Sequence, residues 1–136
     1  MGAMRPSERL VLAAQAACFL TTGLWALVSY GTFEVVTGHK RDDWLVKTLA
    51  AFIVPVGASL AVSARARRAS PEARLLAAGS AAALGVADLV YVLRGRIPRI
   101  YLLDSVAKAL LIAGLAVARR EAAEPEPVSL DEPPGR

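Results

Sequence analysis

The chain has few of the residues from which active sites are usually built. Among its 136 residues are one histidine, His39, and one cysteine, Cys18. A lone cysteine closes no internal disulfide. A lone histidine, set in a charged loop with no second soft ligand beside it, argues against a zinc or haem site. No Ser-His-Asp arrangement can be drawn, for want of a base. No glycine-rich phosphate loop occurs. No cofactor and no metal are expected on these grounds. Aromatic residues make up only 6% of the chain, so its 55% hydrophobic content is mainly Ala, Leu and Val.

Charge is also scarce, and its distribution is uneven. Leu10 to Phe33 contain none. Trp44 to Ala64 contain only Lys47, Leu75 to Leu93 only Asp88, and Ile100 to Ala118 only Asp104 and Lys108. About 20 apolar residues in a helix cross a hydrocarbon layer ~30 Å thick, and only a helix satisfies its own backbone there. A soluble four-helix bundle would need polar outer faces, which these segments lack. The fold class that follows is all-α. It is an integral membrane four-helix bundle with spans at about 10–33, 44–64, 75–93 and 100–118, forming a single domain over 1–118. The tail, 119–136, is rich in Glu, Asp and Pro and reads as disordered.

Local signals refine the spans. Ser7 is a candidate N-cap for the first helix. Ser70-Pro71-Glu72 reads as an N-cap, a proline at the first helical position and an acid in the first turn. Pro55 removes a backbone donor within the second span and is expected to kink it. Small residues four apart (Ala13 and Ala17, Gly57 and Ala61, Gly79 and Ala83) are expected to let helices approach closely. The net charge of +4 reads as arginine at helix ends beside head groups, and no nucleic-acid partner is implied. Arg5, Arg9, Arg65, Arg67, Arg68, Arg74, Arg119 and Arg120 fall on one side. Lys40, Arg41, Arg94, Arg96 and Arg99 fall on the other. That excess, eight against five, favours both termini in the cytoplasm, with dual insertion as the alternative.

The two halves of the chain share a short match. Gly38 precedes Trp44-Leu45-Val46-Lys47-Thr48 by six residues, as Gly95 precedes Tyr101-Leu102-Leu103-Asp104-Ser105. A duplication would give two tandem helical hairpins related by a pseudo-twofold axis along the membrane normal. Chance similarity in an Ala- and Leu-rich chain is the alternative.

The charges inside the spans are the most informative feature, because they are costly in lipid. All lie within about two turns of the surface formed by the first and third loops. Asp104 and Lys108 stand four apart with the acid first, which suits an ion pair on one helix face. The expected site is a polar pocket lined by Lys47, Asp88, Asp104 and Lys108, with Trp44, Tyr91 and Tyr101 at the rim and Glu34, Asp43 and Arg96 from the loops. A structural ion-pair network with an interfacial aromatic belt explains the same residues. The function expected is to bind a lipid head group or small amphiphile without catalysis. A small proton-coupled transporter using Asp88 or Asp104, and a lipid-modifying enzyme using the same carboxylates, are the alternatives. Membrane lipids, a small amphiphilic ligand and a second copy of the chain are the expected partners, in a cytoplasmic membrane.

In length, short basic loops and Ala/Arg-rich bias the layout resembles several groups of small bacterial four-span proteins, DoxX-like proteins among them. The resemblance implies the fold class alone. The sterol-isomerase and sigma-2-receptor family builds a polar-lined pocket in a helical membrane bundle too, but the charges here do not follow its pattern. Small multidrug-resistance exporters rely on a membrane-embedded Glu in the first helix, where this chain offers only Gln15.

Overall fold

The structure, a computed structural model, describes residues 4–39 and 42–123. Five helices follow one another: α1 (Pro6–Val28), α2 (Tyr30–Thr37), α3 (Asp43–Arg65), α4 (Pro71–Leu93) and α5 (Tyr101–Ala123), with no strand among the described residues. The four long helices have 23 residues each, about 34 Å at 1.5 Å per residue. All four are long and apolar enough to cross a membrane. Leu10, Phe52, Val62, Leu75, Leu103 and Leu110 are each two-thirds exposed or more. A belt of that kind would be an aggregation surface in water and is what lipid tails solvate. The chain is a multi-pass membrane protein of the all-α, four-span class.

The helix boundaries follow from local chemistry. The α4 start is as expected: Ser70 Oγ accepts from Ala73 N at 3.1 Å, and Pro71 takes the first position. At α1 the expected cap at Ser7 is displaced. Pro6 already occupies the first turn and Arg5 is the N-cap, because proline has no N–H to leave unsatisfied there. The α3 helix runs through Pro55. The first helix stops short of Phe33, contrary to expectation. Ser29 leaves the helical region (φ −138°, ψ 66°), and the chain restarts as α2. Side chains hold the corner together: Trp25 Nε1 donates to Thr32 Oγ1 at 2.8 Å, and Thr32 Oγ1 meets Ser29 Oγ at 2.8 Å. Phe33 then packs edge-on against Trp25, with ring centroids 5.6 Å apart. At the other end of the chain, 119–123 complete α5 and do not belong to the tail. The rest of the expected tail, 124–136, lies outside the described residues, as do Lys40 and Arg41.

Packing pairs α1 with α3 and α4 with α5 most extensively, and α1–α5 and α3–α4 complete the ring. The chain is thus two antiparallel hairpins set side by side, with α1 and α4 on a diagonal. The glycines aligned by the short repeat, Gly38 and Gly95, are the two described residues with positive φ (87° and 66°). Each follows a helical segment and stands six residues before an aromatic in the first turn of the next long helix, Trp44 in α3 and Tyr101 in α5.

The principal core joins Leu12, Ala16 and Phe19 of α1 to Val56, Leu60 and Ala64 of α3, Ala77 of α4 and Leu115 of α5. It fills the half of the bundle nearer the termini. Glycines make the closest seams. A Cβ on Gly57 would stand 3.1 Å from Phe19 Cβ and 3.2 Å from Leu20 N, and one on Gly23 would stand 3.1 Å from Ala50 O. Of the expected small-residue pairs, Gly57 and Ala61 serve this purpose. Gly79 has no atom within 4 Å of a notional Cβ, and Ala13, Ala17 and Ala83 are exposed. Those pairs face outward, because spacing four apart defines a face without saying which way it points.

Candidate functional site

In the other half, the space between the hairpins is a cavity of about 350 Å³. Its apolar walls come from Phe19 and Ala26 of α1, Phe33 of α2, Val46, Ala50 and Ile53 of α3, and Leu84 and Ala87 of α4, with Cys18 and Thr22 beside them. Leu45 and Leu49 of α3 and Tyr91 of α4 line it too, and each is about half exposed. They therefore form a rim between α3 and α4, facing the cavity and the exterior.

One wall is charged. Lys108 of α5 donates to Asp88 of α4 at 3.0 Å and to Asp104, one turn away on its own helix. Gly85 makes the crossing possible. A Cβ there would lie 3.3 Å from Lys108 Cβ and 3.6 Å from its Cδ, so the lysine stem runs over the bare glycine to reach Asp88. Ser105 Oγ donates to Gly85 O at 3.1 Å and fixes the same contact from the neighbouring position. The ammonium has three donors, and two are spent on carboxylates. With both acids ionised, the triad carries one negative charge in excess.

Of the residues expected to form the pocket, Asp88, Tyr91, Tyr101, Asp104 and Lys108 line the cavity. Glu34, Asp43, Trp44, Lys47 and Arg96 do not. Lys47 is held elsewhere, 3.3 Å from Asp43 Oδ2 and 5.0 Å from the centroid of the Tyr30 ring. Glu34 Oε1 stands 2.6 Å from His39 Nδ1. Trp44 and Arg96 are exposed at the surface. The quartet expected from sequence thus separates into a triad around the buried Lys108 and Lys47, which pairs with Asp43 at the surface. The apolar walls of α1 and α3 had no distinguishing sequence signal, since they are ordinary span residues.

The half nearer the termini is polar as well, which the sequence did not lead one to expect. Glu8 is buried and bonded by Arg74 through two guanidinium nitrogens, Nε and Nη2, the second at 3.1 Å. Gln15 is 2% exposed and donates to Ala77 O at 2.8 Å and Ser80 Oγ at 3.2 Å. Both connections cross the α1–α4 diagonal. No cluster of three metal-ligating side chains occurs among the described residues. A scan against protein-family models, a search of curated proteins and a search of solved structures each returned no match.

Proposed function

We propose that the protein binds one amphiphile between its hairpins, with the polar head against the Asp88–Lys108–Asp104 wall and the apolar body along α1 and α3. The observation that carries this reading is the cavity itself. Its volume of about 350 Å³ falls in the range of small-molecule sites, about 300–1,000 Å³, and its make-up follows their pattern of apolar walls with a few convergent polar groups. The rim between α3 and α4 suits a ligand that arrives from the bilayer. The filled core around Leu12, Leu60 and Ala77 favours binding over passage, since the cavity ends at it. The arginine excess near the termini supports a cytoplasmic position for that filled end, which would put the cavity in the outer half of a bacterial inner membrane.

Native mass spectrometry of gently extracted protein tests the reading. The expected spectrum carries one retained amphiphile per chain, and Ala87→Phe, which fills the cavity, loses it. A bare chain from the native membrane, or equal retention in the variant, overturns it. A carboxyl-terminal tag reached by protease only after the membrane is opened checks the orientation.

A further inference from the structure

We propose that the head group taken by this cavity is an alkylammonium: a protonated amine on an apolar body. The inference rests on the cavity being an amphiphile site and names the chemistry of the head. It comes from which charges are presented to an incoming group. Lys108 is the cavity's one cation among the described residues, and its side chain is only 6% exposed, enclosed by the two acids. Asp88 is 16% exposed and Asp104 37%. A ligand therefore meets carboxylate oxygens first, with the ammonium behind them and already engaged. A carboxylate offers about four lone-pair sites, and Lys108 occupies one oxygen of each acid, Oδ2.

The two possible kinds of head group fare very differently. A phosphate or sulfate head would face two carboxylates across a low-dielectric wall, with like-charge repulsion that the one remaining Lys108 N–H, set behind the acids, offsets only in part. With both acids ionised, an ammonium supplies the missing unit of positive charge and the N–H donors that those oxygens can accept, making charge-assisted bonds. Tyr91 and Tyr101 line the same cavity, and aromatic rings add cation–π attraction. Asp104 lies in the first turn of α5, so the head would sit about 5 Å below the helix end. The body would extend toward Phe19, Ile53 and Leu84. The shared chemistry has two sources, an ammonium-bearing lipid head group or a free amphiphilic amine.

Cys18 provides the readout, because the chain's only cysteine lines this cavity. The full chain is placed in phosphatidylcholine vesicles, and the rate of Cys18 alkylation by N-ethylmaleimide is followed with dodecylamine, dodecanol or dodecyl sulfate added at equal membrane loading. Dodecylamine is expected to slow labelling about tenfold, equivalent to ~1.4 kcal/mol of preference, while the other two leave it nearly unchanged. Asp88→Asn with Asp104→Asn should abolish that protection. Lys108→Met should strengthen it, because the ligand's ammonium then takes the place of the lysine's. This reversal of sign separates a head-group site from a merely structural cluster, and each variant is checked for helicity first. Replacing part of the phosphatidylcholine with phosphatidylethanolamine identifies the source: protection without added amine points to the lipid, and none points to a free amine. Equal protection by all three dodecyl compounds overturns the ammonium assignment and leaves amphiphile binding standing. Protection by none, or a Cys18 closed to maleimide in the bare protein, overturns both.

Discussion

The two halves of this bundle both bury charge, and they use it differently. Near the termini, Glu8 and Arg74 meet across the α1–α4 diagonal with Gln15 bonded to the same helix face two turns further in, and the space around them is filled by Leu12, Leu60 and Ala77. Toward the first and third loops, Asp88, Lys108 and Asp104 meet between neighbouring helices, and the space beside them is left open. In the filled half Glu8, Arg74 and Gln15 each have a fixed partner, and the buried core packs beside them. In the open half the carboxylates keep unused lone pairs facing a cavity. The difference teaches that an intramembrane charge is informative about function chiefly through what lies next to it. A charge packed on every side closes a structure, whereas one at the edge of a void can receive something.

Breaking one partner in each half should separate these roles most sharply. Removing half of a buried ion pair costs about 3–5 kcal/mol. Arg74→Ala should fall near the bottom of that range, about 3 kcal/mol, since the arginine is 34% exposed and water screens part of the pair. Lys108→Met should cost less, about 1–2 kcal/mol, because its acids border a cavity that can admit water or a proton. Detergent-titrated unfolding in bicelles, followed by circular dichroism, measures both. An equal or larger loss for Lys108→Met would show that the triad is the structural pair. The glycine seams make the next comparison. Gly57→Val should cost about 2–3 kcal/mol because the new atoms meet the Leu20 backbone and Phe19 Cβ, whereas Gly85→Val should cost about 1 kcal/mol by displacing the Lys108 stem toward open space. The second variant should nevertheless lose the Lys108–Asp88 contact, read as altered amine protection of Cys18. Gly79→Ala, with open space around it, should leave stability unchanged or raise it by up to about 1 kcal/mol through helix propensity.

How much of this was legible in the sequence depended on distance along the chain. The four spans could be read as windows free of charge, and Asp104–Lys108 as an acid-first pair four apart. Asp88 could be placed at the right depth by counting back from the end of its helix. The same spacing rule would have claimed Lys47 for Asp43, also four apart with the acid first, and separated it from the triad. The Glu8–Arg74 pair joins residues 66 positions apart, and nothing local marks it. Each looked like flanking charge beyond a span, because a few residues of extra helix at either end cannot be read from hydropathy. The corner at Ser29 was hidden for a related reason. Val28-Ser29-Tyr30-Gly31 is apolar enough to extend a span, and only the Trp25–Thr32–Ser29 bonds show that the helix has stopped. The apolar walls of the cavity were not legible. The cavity is a gap among ordinary span residues, and it depends on how far apart the hairpins stand.

The smallest changes in stability bear on whether the open half is open for a purpose. Gln15→Leu removes two hydrogen bonds but leaves no partner stranded, since Ser80 Oγ also donates to Leu76 O at 2.6 Å and Ala77 O lies within α4. An interhelical bond of this kind contributes on average ~0.6 kcal/mol, so the loss should stay below about 1 kcal/mol. Ala87→Phe should change stability least, by about 0.5 kcal/mol in either direction. Ala87 lines the cavity, and a phenyl ring placed there buries apolar surface without displacing the core around Leu12 and Leu60. Had the void been an empty packing defect, filling it would stabilise the bundle by about 1–2 kcal/mol through the cavity and dispersion terms recovered. A near-zero change fits a cavity already occupied by lipid or solvent, because the ring then replaces an occupant and not a vacuum. The discriminating result is the combination of unaltered unfolding with loss of the retained amphiphile. A large gain in stability with no loss of ligand would assign the gap to imperfect packing and leave Asp88, Asp104 and Lys108 as a structural clasp.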